Sequence, residues 1–425
     1  MMIPLETEVI KKGIKKKGVP KLAPAPKPQK IIVPREYEFL LTKTFDSATE
    51  TAIYYGFMPI SNPVTDRNDS DRARELRNSE TGDDLEIYDF PLLSHRLEEK
   101  ITMLRAYSEK NWIIEPQPVM FAYKECENKN RKKHISRDGR LTLDLIGPSR
   151  SGSEAVLIKT AISILEKHGI KDVMVEINAL GDRQAAQRFA KELIPYYRKY
   201  LNDMPAPCIQ LMKKDPFLLG SCEHEKCRCF AEGAPKPTHF LSEPAREHLK
   251  EVFEYLETLG IPYRINDLLV GSGSLYPQTI FRIVSPDTGT IHATGVRFDW
   301  LGKKAGCKKE TPIVSLKMVY KKDTQEKQVK IKPPRLCFVT LGTEAKLKSL
   351  EVIETLRQAK VLVYQALGRD KFAGQVALAD KLRLPYVLIM GKKEAMENSV
   401  IVRNTITRSQ EVVLIPNLAQ YVKAL

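Results

Sequence analysis

Apolar residues recur along this chain with periods that change from one segment to the next, and the changes divide it. From Pro34 a helical spacing runs through Tyr37, Leu40, Leu41, Phe45 and Ile53, stops at Gly56 and gives way to the extended MPISNP. Residues 86–110 predict a strand and then a helix, and 116–124 and 141–146 predict two strands flanking a polar, basic loop. A long helix is expected over about 154–168, then the strand VMVEINAL, a turn at Gly181-Asp182 and a helix to about 200. Between Pro205 and Pro237 the pattern is irregular and Cys-rich. An amphipathic helix over about 243–259 follows, with Gly260 as its stop. Residues 278–300 predict two paired strands around the turn Asp287-Thr288-Gly289.

Beyond a Lys-rich stretch over 303–332 and Pro333-Pro334, strands and helices alternate regularly. LCFVTLG, a helix over 343–359, VLVYQAL, a helix over 370–383, PYVLIMG, SVIVRN and EVVLIP predict a compact α/β unit with a mixed sheet, folding separately. At 425 residues, two to four domains are expected. No apolar run reaches the roughly 18 residues of a spanning helix, so a membrane partner is not expected. The first thirty residues lack an apolar signal core, which points to the cytosol. Seven cysteines, an odd number, are then expected as thiols or metal ligands.

The net charge of +15 is concentrated. Residues 1–34, 124–140 and 303–332 carry +6, +4 and +7, and the remainder is slightly negative. Such segments suit a polyanion, although each alone is also what a solvated loop or tail contains. Residues 1–34, including KKGIKKKGVPKLAPAPKPQK, are too polar to fold and are expected to be a disordered basic tail.

VEINALGDR at 175–183, CFAEGAPK at 229–236, EYLETLGIPYRIND at 254–267 and ALADKLRLPYVLIMGKKE at 377–394 together resemble, in order and spacing, the histidyl-tRNA synthetase family of class II aminoacyl-tRNA synthetases. The resemblance covers about 37–425. It implies an α+β class II core over 35–333, an antiparallel sheet flanked by helices with a helical insertion at about 184–260. A C-terminal α/β anticodon-binding domain would occupy 334–425. It also implies a homodimer formed through motif 1, matched here by Tyr55-Gly56-Phe57 through Pro63.

The resemblance locates the chemistry, and there the sequence departs from the family. Adenylate formation brings a carboxylate to the α-phosphate of ATP, so preorganised cations are needed, each donor worth ~10²–10³ in rate. Where motif 2 has F-R-x-E, this chain has Ala122-Tyr123-Lys124-Glu125-Cys126, leaving Lys124 without the planar fork of arginine. The histidine-recognition segment R-G-L-D-Y-Y-T becomes Gly271-Ser272-Gly273-Ser274-Leu275-Tyr276-Pro277, so Gly271 replaces the catalytic arginine and Tyr276 persists. The second signature becomes Thr294-Gly295-Val296-Arg297-Phe298-Asp299-Trp300, with side chains where bare backbone lines the family's pocket. Motif 3, a Gly-rich helix ending in E-R, corresponds to Val314 through Lys322 without the glycines or that pair. Glu98 aligns with the glutamate after motif 1, Asp144 with an acidic pocket residue, and Arg140 with a glutamine.

These losses predict a synthetase-like protein that is inactive in aminoacylation and binds tRNA or a related structured RNA. Lys346, Arg369 and Lys371, near two helix starts, are the candidate contacts. Two alternatives remain. One is an active, divergent histidine tRNA ligase using ATP and Mg²⁺, with Lys124, Arg297 and Lys322 converging on one pocket. The other is a regulatory subunit of histidine biosynthesis. Gly271-Ser272-Gly273-Ser274 could cradle a phosphate, but a short flexible turn is the expectation. Cys208, Cys222, Cys227 and Cys229, around His224, are a weak zinc candidate without clean C-x-x-C pairs, and plain structural thiols are the expectation.

Overall fold

The computed structural model describes residues 35–81, 95–124, 138–147, 152–222, 224–271, 277–322, 327–365 and 372–425. The expected basic tail, the loop after Lys124, and Tyr276, Arg369 and Lys371 lie outside them. The first part contains α1 (Ser47–Tyr54), β1 (Met58–Pro59), α2 (Arg67–Thr81), α3 (Leu97–Glu109), β2 (Val119–Lys124), β3 (Asp138–Ile146), α4 (Gly152–Lys167) and β4 (Met174–Asn178). Then come α5 (Arg183–Arg198), α6 (Ala206–Lys214), α7 (Glu225–Glu232), α8 (Glu243–Thr258), β5 (Tyr263–Ile265), β6 (Thr279–Val284), β7 (Ile291–Phe298), α9 (Leu301–Lys304) and β8 (Ile313–Lys321). The C-terminal part contains β9 (Leu336–Thr340), α10 (Thr343–Gln358), β10 (Val363–Gln365), α11 (Phe372–Lys381), β11 (Tyr386–Met390), α12 (Lys392–Met396), β12 (Ser399–Asn404), β13 (Gln410–Leu414) and α13 (Ile415–Lys423).

Eight strands form one sheet in the order β1-β2-β3-β8-β7-β6-β4-β5. Its interior is antiparallel, and only the outermost pairs, β1 with β2 and β4 with β5, are parallel. Period-2 alternation gives the sheet two different faces. Leu141, Leu143, Leu145, Leu316, Met318 and Phe281 point to one, beneath α1, α4 and α8. Phe121, Tyr123, Ile146, Val296, Phe298 and Ile313 point to the other, beneath α2 and α3. Gly295 is required for packing on the first face, because a Cβ there would fall 2.0 Å from the Phe281 ring.

Two segments differ from their expected form. Residues 205–237 contain the short helices α6 and α7 around a 3₁₀ turn at Pro216–Ser221, in a small cluster with Phe189, Leu193 and Tyr197 of α5. Close cysteine spacing hid two half-length amphipathic helices. Val314–Lys321, aligned with the family's motif 3 helix, lies in a nine-residue strand. Its alternation of Val314, Leu316, Met318 and Tyr320 with Ser315, Lys317 and Val319 is the strand period. Lys317, counted in the basic stretch, is buried within it.

The C-terminal part has a five-stranded mixed sheet, β10-β9-β11-β12-β13, parallel among the first three and antiparallel beyond. It packs against the core. One hydrophobic cluster runs from α4 and α8 into Leu350, Ile353 and Leu356 of α10, and a second joins Tyr37, Leu40 and Ile53 to Tyr364 and Leu378. Between them, the Tyr55 hydroxyl donates to Glu354 at 2.5 Å and lies 3.0 Å from Ser163 Oγ. Burial would raise the Glu354 pKa, but Arg357 and the Tyr55 hydroxyl outweigh it and hold the group at about 2. A depressed carboxylate stabilises the fold fully above the unfolded value near 4.5, and loses that contribution as pH falls toward 2. The shift corresponds to at most about 3 kcal/mol, reduced by the group's partial exposure. Thermal unfolding scanned from pH 6 to pH 2 should therefore show a smaller loss in Glu354→Gln than in the native chain. Equal slopes would contradict this role for the contact.

Candidate functional site

The face beneath α3 is the one on which the aligned pocket residue Asp144 lies, and it is closed by ion pairs internal to the chain. In α3, Leu97, Ile101 and Leu104 form an apolar stripe, and Lys100 falls within it at helical spacing. Its side chain has no solvent exposure. Lys100 Nζ lies 2.5 Å from Ser315 Oγ and 3.5 Å from Asp144 Oδ1, and Ser315 also donates to that oxygen. The Tyr123 hydroxyl donates to Asp144 Oδ2 at 2.7 Å. Asp144 therefore has an internal cation and hydroxyl donors on both oxygens. This arrangement satisfies a buried charge that would otherwise be costly.

One residue earlier in α3, Glu99 pairs with Lys317 of β8 at 2.6 Å. His95, just before the helix, places Nε2 3.0 Å from the Thr294 carbonyl and 3.2 Å from its hydroxyl. Burial, with Lys100 and Lys317 nearby, pushes His95 well below its ordinary pKa, so it is neutral and Nε2–H donates. Val296 is buried in the same cluster, against α3. Helix α3 and His95 before it thus lie across β2, β3, β7 and β8 on the face that carries Asp144.

The aligned cations do not converge there. Arg297 faces the opposite side of the sheet, where Nη1 meets Glu154 of α4 at 3.4 Å and Nε meets Asp299 at 2.8 Å. Burial would lower the Arg297 pKa, but the two carboxylates outweigh it and raise it. Burial would likewise raise Glu154, but His248, at 2.7 Å, and Arg297 outweigh it and hold it below its usual range. Lys124 points to Asp46, the N-cap of α1. The register Lys124–Leu141–Met318–Ala293 puts Lys124 three strands across and four residues along from Arg297, about 20 Å away. Lys322 is exposed beyond the end of β8, and Arg140 is exposed on β3 opposite Val319. Glu98 is half-buried in the first turn of α3. Gly271 has φ +71°, so an arginine there would be strained as well as absent. Lys346 lies in the first turn of α10.

Lys100 and Lys317 escaped the sequence reading. The available signal was a lysine within an apolar helical stripe and another on the same strand face as Ser315, opposite Thr142 and Thr294. Both look like ordinary surface lysines until the helix is laid on the sheet.

Two further features lie at the other end of the sheet. A cavity of about 440 Å³ opens between α5, α7 and β5–β6, with Arg228, Lys236, Arg264 and Arg282 on its wall. Its cations are largely engaged. Arg264 and Arg282 both bind the buried Glu176, Asn266 donates to the same carboxylate at 2.6 Å, and Lys236 pairs with Asp267 at 2.9 Å. Burial would raise Glu176, but these donors together lower it. Nearby, Cys208, Cys222 and Cys227 bring their sulfurs within 4.8 Å of one another. Cys229, grouped with them by spacing, is exposed instead, and His224 joins the cluster.

The anticodon binding domain family matches residues 336–425. A histidine–tRNA ligase of Aquifex aeolicus is 27% identical over 328 residues, covering 76% of this chain and 78% of that protein. One of Bacillus velezensis is 26% identical over 398 residues, covering 88% and 92%. Over most of its length the chain is similar to histidine–tRNA ligases, and its C-terminal part matches an anticodon binding domain. The solved apo histidyl-tRNA synthetase of S. aureus covers 94% of this chain with 19% identity and a TM-score of 0.46. The chain combines a core built on a mainly antiparallel eight-stranded sheet with a C-terminal anticodon-binding domain.

Proposed function

We propose that this synthetase relative does not form histidyl adenylate, and that it binds tRNA or a structured RNA like it. In this reading the core spans 35–333, with its insertion at about 184–260, and the RNA-binding unit spans 334–425. The protein works as a cytosolic homodimer. RNA contact is made by the C-terminal domain, including Lys346, and by the basic segments.

The observation that carries the reading is the buried Lys100–Asp144–Ser315 constellation under α3. A substrate ammonium could reach Asp144 only by displacing Lys100. Breaking a buried pair costs about 3–5 kcal/mol, or roughly two to four orders of magnitude in affinity. No guanidinium reaches that face from Arg297, and Gly271 supplies no charge. The chain's similarity to ligases over most of its length favours the second reading, an active ligase using ATP and Mg²⁺.

Pyrophosphate exchange separates the two. With histidine, ATP and Mg²⁺, the purified chain should show no exchange above the histidine-free background. A histidine-dependent rate would establish the ligase. Filter binding of total tRNA should give an affinity falling steeply with salt, the log–log slope reporting about 0.7–0.9 per phosphate neutralised. Salt-insensitive or absent binding would remove the RNA part. Calorimetric uptake of histidine without exchange would instead indicate a histidine-sensing regulatory subunit.

A further inference from the structure

The insertion contains a side-chain cluster that neither the synthetase chemistry nor RNA binding uses. Cys208 lies in α6, Cys222 closes the 3₁₀ turn after it, His224 is the N-cap of α7 and Cys227 lies in its first turn. Cys208 Sγ and Cys222 Sγ are 3.5 Å apart, and His224 Nδ1 is 3.4 Å from each. Cys227 Sγ completes the group within 4.8 Å of the other two sulfurs. Around a tetrahedral zinc, bond lengths of about 2.3 Å to sulfur and 2.0–2.1 Å to nitrogen require S···S edges of about 3.8 Å and S···N edges of about 3.5 Å. The separations among Cys208, Cys222 and His224 are close to those edges. They are far from the roughly 2.05 Å of a disulfide, which would also leave one of three thiols over.

We propose that Cys208, Cys222, His224 and Cys227 bind one Zn²⁺ as a structural site. Three thiols release their protons to solvent on binding, and neutral His224 donates the lone pair of Nδ1. Cys229, two residues on, is exposed and is not a ligand. The physical need is local. Helices α6 and α7 have nine and eight residues, too short to persist alone, and the cluster around them is small. A metal joining α6, the turn and α7 supplies order that this segment's apolar residues do not. It also steadies Arg228 and Ala231 of α7 on the cavity wall.

Elemental analysis of the full chain, purified under reducing conditions without chelator, should find about one zinc per chain. Cys229→Ser should keep it, whereas Cys222→Ser and Cys227→Ser should lose most of it. Should those two variants fail to fold, the native chain still decides the matter, because titration of its thiols with a mercurial should release zinc in step with three sulfurs. Cobalt reconstitution should give the intense visible bands of a tetrahedral thiolate site. A native chain that takes up no zinc after reconstitution overturns the site. So does zinc retained when Cys208, Cys222 and Cys227 are all replaced.

Discussion

Lys100→Ala should destabilise the core by about 3–5 kcal/mol, because it leaves Asp144 charged, buried and without its cation. The two tryptophans report on this region. The Trp112 ring lies tilted against Phe121 with centroids 4.2 Å apart, and both Trp112 and Trp300 pack against the cluster that holds α3. The tryptophan-detected denaturant midpoint should therefore drop sharply, while probes of the C-terminal sheet move less. Lys100→Met combined with Asp144→Leu should recover most of the loss, since an apolar pair needs no compensation. The single variant also opens a space shaped for an alkylammonium. Butylammonium should raise its midpoint and leave the native chain unchanged. A single-variant loss under about 1 kcal/mol would mean that the pair is not what closes the face.

On the opposite side of the sheet, Glu154→Ala should cost a similar amount, about 3–5 kcal/mol, by removing a carboxylate partner of the buried Arg297 and the acceptor of His248. The contrast with a catalytic arginine is direct. If Arg297 acted on substrate, Arg297→Met would change ligand binding and leave the fold intact. Its position under α4 predicts the reverse, a lowered melting temperature with tRNA affinity unchanged at temperatures where the variant is folded. Restoring stability with Arg297→Met and Glu154→Leu together would complete the case. A Glu154→Ala chain as stable as the native one would contradict it.

Much of the fold was legible from periodicity. Helix α4, the paired strands β6 and β7 around Asp287-Thr288-Gly289, and the alternation from β9 onward each carry enough apolar positions at one period to declare themselves. The short elements were not. Helices α6, α7 and α12 have nine, eight and five residues, too few turns for a stripe to stand out, and their order comes from neighbours. The candidate site was legible as a set of losses, Gly271 above all, but not as a set of replacements.

The residue types, and hence the missing arginines, the altered glycine signature and the excess of lysine, belong to the sequence alone, because charge and backbone freedom are properties of each residue. Which lysine faces which carboxylate does not. Lys100 and Asp144 are 44 positions apart, and Ser315 is 171 beyond Asp144. They meet only because α3 lies across one face of a sheet whose antiparallel register places Asp144 beside Ser315. The same register turns Arg297 to the other face, since neighbouring residues of a strand point oppositely. A one-residue slip would have exchanged their roles, and only the folded sheet excludes it.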